Sequence, residues 1–533
     1  MERALPPLPD DVKTLQTLVL SLRQSHHEQE ARLGEQQNEI HRQTTLIDQL
    51  IEQIKLGRHK QFGASSESCD RDQMRLFNEA EAILDRAEND RDGETDTIGI
   101  AAHRRKRGGR KPLPSELPRI EVVYELPESE CICQHDGTQL RVIGEVTTEQ
   151  LDIVPAKVRV IRHIRKKYAC PCCDGTIKTA SMPAQPIPKS LVSPGLLAYI
   201  ITNKYVDALP LYRQERIFDR LGVEVSRANL ANWVIQAGQL VQPLINLMRD
   251  RIGDYDVVSM DETPVQVLKE PGKAPQSKSY LWVQRGGPPD EPLIIYDYDP
   301  SRGQAVPLRL LDGYRGYLQT DGYPGYDAVG ARPDIIQVGC FAHARRKFNE
   351  AIKGQSKKRP STHAWRGLKL IQKLYGIERQ CKEAEPQARY QARQDQARPI
   401  LDEMRGWLDQ ALSQVPPTTL TGKALNYLHN QWPKLIRYLD DGRLRIDNNL
   451  VENAIRPFVV GRKNFLFCDT VRGANASANL YSLIETAKAN RIEPYSYLRR
   501  VFTELPNAKT VEDIETLLPY HADLADNVKS AVG

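Results

Sequence analysis

An apolar residue recurs every seven positions near the start of the chain, which is the spacing of a coiled-coil seam. Polar side chains interrupt the seam at His26, Gln29, Gln36 and Gln43. We predict one long helix over residues 10–60 that pairs with another copy of the chain, parallel or antiparallel, in a homo-oligomer. The alternative is a single amphipathic helix that lies on another domain. The repeat consists of Val12, Val19, Leu33, Ile40, Ile47 and Ile54, with Leu15, Leu22 and Leu50 three residues after some of them.

The pattern changes after residue 254 to short runs of β-branched and aromatic residues, which predict strands. Three runs (DYDVVSMDET, SYLWVQR and PLIIYDYD) precede a helical stretch near SRGQAVPLRLL, and a fourth run is GYLQTDGYPGY. A further run, DIIQVGC, leads into the helical FAHARRKFNEAI. Three strands, a helix and a fourth strand begin a ribonuclease-H-like mixed sheet, in which the first and fourth strands lie side by side at the centre.

A long helical stretch interrupts this predicted sheet. Glu452 lies 131 positions after Asp321, a separation that exceeds what one more strand and helix require, and THAWRGLKLIQKLYGIERQ begins a run with helical periodicity. We therefore predict a helical insertion over residues 356–445. It contains Trp365, Trp407 and Trp432. We expect these three side chains in the core, the alternative being stacking on a flipped or hairpinned DNA base.

Two helical segments with a tight turn between them follow residue 190. The segments are LYRQERIFDRLG and SRANLANWVIQAG, where Gly222 can end the first helix and Ser226 can cap the second. This is the spacing of a helix-turn-helix, although ordinary helical hairpins share it. A helix-turn-helix within residues 181–250 would present Arg227, Asn229 and Asn232 to a DNA major groove.

Five of the nine cysteines lie in two tight groups within a β-like stretch, residues 119–180. We predict a small zinc-binding β domain whose Zn²⁺ ligands are Cys131, Cys133, Cys170 and Cys173. The second pair has the usual spacing of a zinc knuckle, whereas the first is tighter. His135 for one thiolate and Cys172 for Cys173 are the alternative ligands, and buried free thiols are the alternative to zinc. A thioredoxin-like redox role lacks its usual strand-to-helix context.

The length and composition of the chain limit the classes of protein to which it can belong. The 533 residues exceed one ordinary core and 40% of them are hydrophobic, so several domains are expected. No apolar run approaches the roughly 20 residues of a membrane span, and MERALPPLPDDVKT lacks the hydrophobic stretch of a signal peptide. We expect an intracellular protein, cytoplasmic in a bacterium and associated with the nucleoid.

A local basic cluster, and not the small net charge of +5, would attract nucleic acid. Within a flexible linker over residues 61–118, the acidic NEAEAILDRAENDRDGETD gives way to HRRKRGGRKPLP. We predict that this basic arm lies along DNA phosphates or in a minor groove, the alternative being a merely solvated linker. Its cations are Arg104, Arg105, Lys106, Arg107, Arg110 and Lys111.

Three acidic residues stand where the predicted fold would bring them together. Asp261 and Asp321 lie at the ends of the first and fourth predicted strands, and two adjacent carboxylates are costly without a cation between them. Residues 447–449 (DNN) are expected to cap a helix that carries Glu452 toward them. Three carboxylates can hold two Mg²⁺ or Mn²⁺ ions, which activate a nucleophile and stabilise the leaving oxygen of a phosphodiester. Cations near Glu452 that would meet the DNA backbone are Arg456, Arg462 and Lys463.

The strings around these acids, DET, TDGYPGY and DNNLVENAIRPFVVGRKN, strongly resemble the transposases of the insertion sequence 66 family. So do KQFGASSE, RGGRKPLP, the cysteine region, LPLYRQERIFDRLGVEVSRANLANWV and CFAHARRKF, from about residue 50 to about residue 505. The resemblance implies a metal-dependent DDE transposase with a ribonuclease-H-like catalytic domain, an N-terminal zipper, a zinc-binding domain and a helix-turn-helix. Asp261 of DET, Asp321 of TDGY and Glu452 of NNLVEN would be its metal-binding acids.

Such a protein would bind the terminal inverted repeats of its element, cut the DNA and join the freed 3′-hydroxyl to target DNA, with accessory proteins of the element as further partners. This chain departs from a plain four-cysteine pattern at Cys131 and Cys133. Cys340-x-x-His343 resembles a signature of several DDE transposases, and we expect a structural rather than a catalytic role for it. The rival hypothesis is a DNA-binding protein without catalysis, either a regulator or a decayed copy of the enzyme. The presence of all three acids argues against decay.

The predicted architecture is multidomain α+β. Its segments are a coiled coil (10–60), a flexible linker (61–118), a zinc-binding domain (119–180), a helix-turn-helix region (181–250), the first part of the catalytic domain (251–355), the helical insertion (356–445), the second part of the catalytic domain (446–490) and a C-terminal helical module (491–533).

Overall fold

A computed structural model describes residues 11–62, 157–169, 177–354 and 362–521, and the single residues 119, 121, 147 and 150. The chain divides into two compact units, residues 1–65 with 162–533 and residues 66–161, and every helix and strand named below belongs to the first. Helix α1 (Val12–Phe62) confirms the long helix predicted from the seven-residue repeat. Its repeat side chains Val12, Val19, Leu33, Ile47 and Ile54 are exposed. Self-association through them stays a prediction.

Strands β1 (Lys167–Ala169) and β2 (Ile177–Thr179) form an antiparallel pair in which Tyr168 faces Lys178. They flank the second cysteine group, in the stretch that was predicted to be β-rich. Several predicted site residues lie outside the described part of the chain. They are Cys131, Cys133, His135, Cys170, Cys172 and Cys173, and the basic arm with Arg104, Arg105, Lys106, Arg107, Arg110 and Lys111.

Four helices follow, α2 (Pro194–Tyr205), α3 (Leu211–Arg220), α4 (Arg227–Leu240) and α5 (Gln242–Gly253). The Ser226 hydroxyl accepts a hydrogen bond from the backbone N–H of Asn229 at 3.3 Å, which confirms the predicted cap of α4. Gly222, just after α3, has a φ of +78°, which glycine adopts without steric cost. Both helices and the turn between them are therefore as predicted.

The central sheet has six strands among the described residues. Five of them lie in the order β5-β4-β3-β6-β7, and they are β3 (Val257–Lys269), β4 (Lys278–Gly286), β5 (Leu293–Asp299), β6 (Gly316–Gln319) and β7 (Ile335–Val338). The sixth, a short strand from later in the chain, pairs with β3. Strand β4 is antiparallel to both β3 and β5, whereas β6 is parallel to both β3 and β7. The short helices α6 (Ala305–Leu310) and α7 (Asp327–Gly330) lie in the connections around β6. The predicted contact between the first and fourth strands of this sheet is confirmed.

After α8 (Phe341–Gly354) the predicted insertion is helical, with α9 (His363–Gln380), α10 (Pro386–Ala392), α11 (Arg398–Gln414) and α12 (Leu420–Leu435). These helices enclose a second hydrophobic core with α8, separate from the core around the sheet. Trp407 is buried in that second core, as predicted, and Trp365 and Trp432 are half-buried. Helix α1 also contacts α8 and α12.

The chain then returns to the sheet through α13 (Asn449–Phe465), β8 (Cys468–Thr470) and α14 (Val471–Ala489), which are followed by α15 (Pro494–Glu504) and α16 (Val511–Glu515). Helix α14 covers the edge strand β5, because Ser482 and Thr486 accept hydrogen bonds from the backbone N–H groups of Tyr296 and Ile294 at 2.8 and 3.0 Å. Helix α4 packs closely on α14, and α15 packs on α2. Within the described residues, none of the helices combines the length and the hydropathy of a membrane span.

Candidate metal-binding active site

Asp261 lies within β3, and Asp321 lies two residues beyond the end of its parallel neighbour β6. Ser259 of β3 is paired with Gln319 of β6. Asp261 follows Ser259 by two residues, and Asp321 follows Gln319 by two residues. Residues two apart on a strand share one face of the sheet. The register therefore places both aspartates on one face of the sheet, in agreement with the predicted strand order. Asp261 lies within β3, however, and not at the end of its strand as predicted, because β3 continues to Lys269.

Glu452 lies in the first turn of α13, which packs on β3, the strand of Asp261, and on β4. Asn448 stands at the N-cap of this helix, but its side chain does not cap the helix as predicted. Its carboxamide donates instead to the backbone carbonyl of Met260 at 3.1 Å, just where the pairing of β3 with β6 has ended. Asp447 accepts the backbone N–H of Asn449 at 3.3 Å. Asn448 thus ties the start of α13 to the strand that carries Asp261.

The charges of the other acids act on Asp261. Burial raises the pKa of Asp261 well above its ordinary value, and the neighbouring carboxylates of Glu262, Asp321 and Glu452 raise it further. One oxygen of Glu452, Oε1, is buried and has no hydrogen-bond partner among the described residues. A divalent cation would compensate the repulsion and the missing partner together, and carboxylate oxygens are the ligands that Mg²⁺ and Mn²⁺ prefer. The residues present fit such an ion.

Cys340 and His343 lie beside Glu452, in the Cys-x-x-His segment that begins α8. The Cys340 sulfur accepts the backbone N–H of Asn448 at 3.2 Å, and burial raises the pKa of this thiol to about 12. His343 Nδ1 lies 3.8 Å from Glu452 Oε1. One ligand atom each from Cys340, His343 and Glu452 lie within 4.8 Å of one another. The contacts of Cys340 give it a structural part in positioning the start of α13.

Sequence reasoning missed a polar network on the other side of Asp261. The side chain of Glu262 is only 1% exposed, and it pairs with Arg302 at 2.6 Å and accepts a hydrogen bond from the Tyr326 hydroxyl at 2.5 Å. The Arg302 guanidinium lies 3.8 Å from the centre of the Tyr323 ring, and the backbone N–H of Tyr323 donates to Asp321 at 2.9 Å. The signal in the sequence was Glu262, the second acid of DET, because a buried glutamate needs a cationic partner.

The helical insertion also contacts the segments next to Asp321 and Glu452. Tyr375 of α9 donates its hydroxyl hydrogen to Asp447 at 2.9 Å. Tyr427 of α12 lies against Gly322, where an added Cβ would be 2.8 Å from the tyrosine hydroxyl. The insertion therefore contacts both the loop after Asp321 and the segment before Glu452.

The predicted DNA-contacting residues divide into two groups. Arg227, Asn229 and Asn232 of α4 and Lys463 of α13 are exposed, and Arg456 is half-buried. Arg462 is instead engaged inside the protein: because α13 packs on β3, its guanidinium donates to Thr263 Oγ1 at 3.0 Å and to the carbonyl of Pro264. Burial lowers the pKa of Arg462. Its contact with the DNA backbone stays a prediction.

Comparison with known proteins identifies the class. Residues 189–476 match the family described as Transposase IS66 family, and residues 130–174 match the zinc-finger binding domain of transposase IS66. Residues 482–520 match the IS66 C-terminal element, and residues 49–122 match Transposase C of IS166 homeodomain. These matches support a transposase with DNA as its partner. The chain belongs to the IS66 family of transposases.

The chain is also similar to proteins of Sinorhizobium fredii that are named only as uncharacterized. It is 32% identical to y4qI over 540 residues, covering 96% of this chain and 97% of that protein. It is 32% identical to y4jD over 423 residues, covering 77% of this chain and 81% of that protein. The likeness to y4qI thus extends over nearly the whole of both chains.

Proposed function

We propose that this protein is a DDE transposase that binds the terminal inverted repeats of its insertion sequence and catalyses DNA cleavage and strand transfer with Asp261, Asp321 and Glu452. The observation that carries the proposal is the convergence of these three acids from β3, from the loop after β6 and from α13. We infer that the catalytic domain is ribonuclease-H-like, because three antiparallel strands followed by two parallel ones in the order β5-β4-β3-β6-β7 agree with that fold.

The three carboxylates would hold two divalent ions, Mg²⁺ or Mn²⁺. Such ions, when bound, stabilise the charge on the attacking and leaving oxygens of a phosphodiester. The protein's own part is to hold the acids in place. Asn448 fixes the start of α13 against β3, and the backbone N–H of Tyr323 orients Asp321. Asp321 and Glu452 would act together with Asp261 on the bound DNA.

The remaining parts of the proposal concern DNA binding and assembly. The basic arm, the exposed face of α4 and the residues Arg456 and Lys463 would contact DNA, and α1 would join copies of the chain. Cys131, Cys133, Cys170 and Cys173 would hold a structural Zn²⁺, in agreement with the match of residues 130–174 to a zinc-finger domain. Accessory proteins of the same element are proposed partners, and the bacterial cytoplasm, at the nucleoid, is the proposed location.

Cleavage of DNA that carries the element's terminal repeats, with and without Mg²⁺, tests the proposal. We expect Asp321→Asn to cut at least about a thousandfold more slowly, the effect of losing several kcal/mol of transition-state stabilisation. Asp312→Asn, at an exposed aspartate, is the matched control and should cut at the wild-type rate. Equal cutting by wild type and Asp321→Asn would exclude the triad. Repeat-specific binding without cutting by the wild type would favour a regulator.

A further inference from the structure

The turn that joins α13 to β8 has an unusual backbone. Leu466 has a φ of 65° and a ψ of −56°, and the backbone N–H of Phe467 donates to the carbonyl of Phe465 at 2.8 Å. This is the γ-turn of positive φ, the rarer and more strained of the two γ-turns. A branched side chain such as leucine gains nothing from that conformation, and strain of this kind is concentrated at functional sites.

The same turn exposes two large apolar side chains. Leu466 is 65% exposed and Phe467 is 41% exposed. The preceding Phe465 instead turns inward, with its ring 6.2 Å from that of Phe458 and 4.4 Å from the ammonium of Lys204. Exposure of adjacent leucine and phenylalanine side chains forfeits the free energy that their burial would contribute to folding. The exposed positions of Leu466 and Phe467 therefore favour a role in binding over a role in stabilising the fold.

Ordered contacts hold this tip on both sides. Before it, the Asn464 carboxamide donates to the carbonyl of Ala208 at 3.1 Å. After it, Cys468 pairs with Val267 of β3, and the Thr470 hydroxyl accepts the backbone N–H of Gly473 to cap α14. The apolar pair is thus presented by fixed elements at the end of the helix that carries Glu452.

The charges around the tip are complementary to phosphates. Lys463 and Arg472 are exposed on either side of it, and neither has an ion-pair partner in the part of the chain that the structure describes. The nearby carboxylate of Asp469 is held by Lys269 at 2.7 Å. Cations that flank exposed apolar side chains match the surface of DNA, where negative phosphates surround apolar base faces.

We propose that Leu466 and Phe467 form an apolar wedge that contacts unstacked bases of bound duplex DNA, while Lys463 and Arg472 contact the flanking phosphates. Apolar side chains that enter a base step unstack it and kink the duplex, and a rigid tip does so without ordering itself on binding. The proposal rests on the proposed function in that the duplex is the DNA on which a transposase acts.

The test uses the full-length chain in an Asp321→Asn background, so that binding is measured without cutting. The probe is a duplex of the terminal repeat that flanks the gene, with 2-aminopurine placed at successive positions. We expect the protein to raise 2-aminopurine fluorescence at one or two positions. Leu466→Ala with Phe467→Ala should abolish this rise and weaken the affinity about tenfold, the effect of losing one stacking contact. Lys463→Ala with Arg472→Ala should reduce the salt dependence by about two phosphates.

Two controls separate the wedge from loss of folding. Leu466→Gly should keep or raise the melting temperature, because glycine relieves the positive φ, yet it should lower the fluorescence rise. Val511→Ala removes another exposed apolar side chain, 56% exposed, and should leave both readouts unchanged. An unchanged fluorescence rise in the folded double alanine variant would overturn the proposal. Loss of self-association with normal base unstacking would also overturn it, in favour of a contact between copies.

The wedge and the catalytic triad can each fail without the other. Base unstacking by an otherwise wild-type protein that fails to cut with Mg²⁺ would support the wedge and exclude the proposed catalysis. Cutting at the repeats without unstacking at any position would exclude the wedge and leave the proposed function intact.

Discussion

Asn448 joins the helix of Glu452 to the strand of Asp261, and its replacement by alanine should loosen that helix. The Asn448 side chain is buried and donates to Met260 O at 3.1 Å. Asn448→Ala removes this hydrogen bond and leaves a buried carbonyl without the donor, which together cost about 2 kcal/mol. The cost is local, because it concerns the first turn of α13 and its contact with β3.

Hydrogen exchange measures this cost where it arises, since one free energy of unfolding is not well defined for a chain with several cores. About 2 kcal/mol corresponds to roughly thirtyfold faster exchange of amides near the start of α13 when they exchange through local opening. DNA cleavage should fall about a hundredfold, as expected when a catalytic group is displaced by about 1 Å.

Asn507→Ala is the control, because the Asn507 carboxamide also donates to a backbone carbonyl, that of Thr503 at 3.0 Å, but is exposed. It should change the exchange of α13 by less than about twofold. An Asn448→Ala protein with wild-type exchange at the start of α13 would refute the inference that Asn448 fixes Glu452.

Three further predictions concern the sheet, the acids and the helix contact. Arg302→Ala removes the cationic partner of the buried Glu262. Because Arg302 is 43% exposed, we expect the protein to lose about 2 kcal/mol of stability, less than the about 3–5 kcal/mol expected for a fully buried pair. Adding Glu262→Gln should recover most of the fall in melting temperature. Burial and neighbouring carboxylates raise the folded-state pKa of Asp261, so the folded state keeps a proton that the unfolded chain releases above about pH 4. The metal-free protein should therefore gain stability as the pH falls through that raised pKa, and Mg²⁺ should raise the melting temperature more at about pH 8 than at about pH 5; equal shifts would contradict the sign. A Cβ on Gly238 would lie 2.4 Å from a side chain of α14. Gly238→Ala should therefore displace α4, lower the stability by about 1–3 kcal/mol and weaken DNA binding measured by fluorescence anisotropy. Gly253→Ala, where an added Cβ has nothing within 4 Å, should change neither the stability nor the DNA binding.

The sequence predicted the elements whose patterns are local. The seven-residue repeat gave α1, the β-branched runs gave β3 to β7, and the turn residues Gly222 and Ser226 marked the break between α3 and α4. That Asp261 and Asp321 belong to neighbouring strands followed from strand order alone. The position of Asp261 along its strand did not, because β3 continues for eight residues past it.

Contacts between distant segments left no such pattern. The partner of Glu262 is Arg302, forty residues away, and nothing in the local sequence selects it. Asn448 was expected to cap its own helix, but the carbonyl of Met260 offered its side chain a buried partner across the fold. Arg462 likewise looked like a free cation until the packing of α13 on β3 brought Thr263 within reach. Tertiary partners decided these three positions.

The close contact of α4 with α14 has a consequence for synthesis of the protein. Helix α4 ends at Leu240, but the helix that packs on it, α14, begins at Val471 and is made only after the insertion and Glu452. A nascent or truncated chain that stops within the insertion lacks both the third acid and the support of its helix-turn-helix. Such a fragment would be a poor competitor for the ends of the element, because the segment that completes the acid cluster also supports the helix proposed to read DNA.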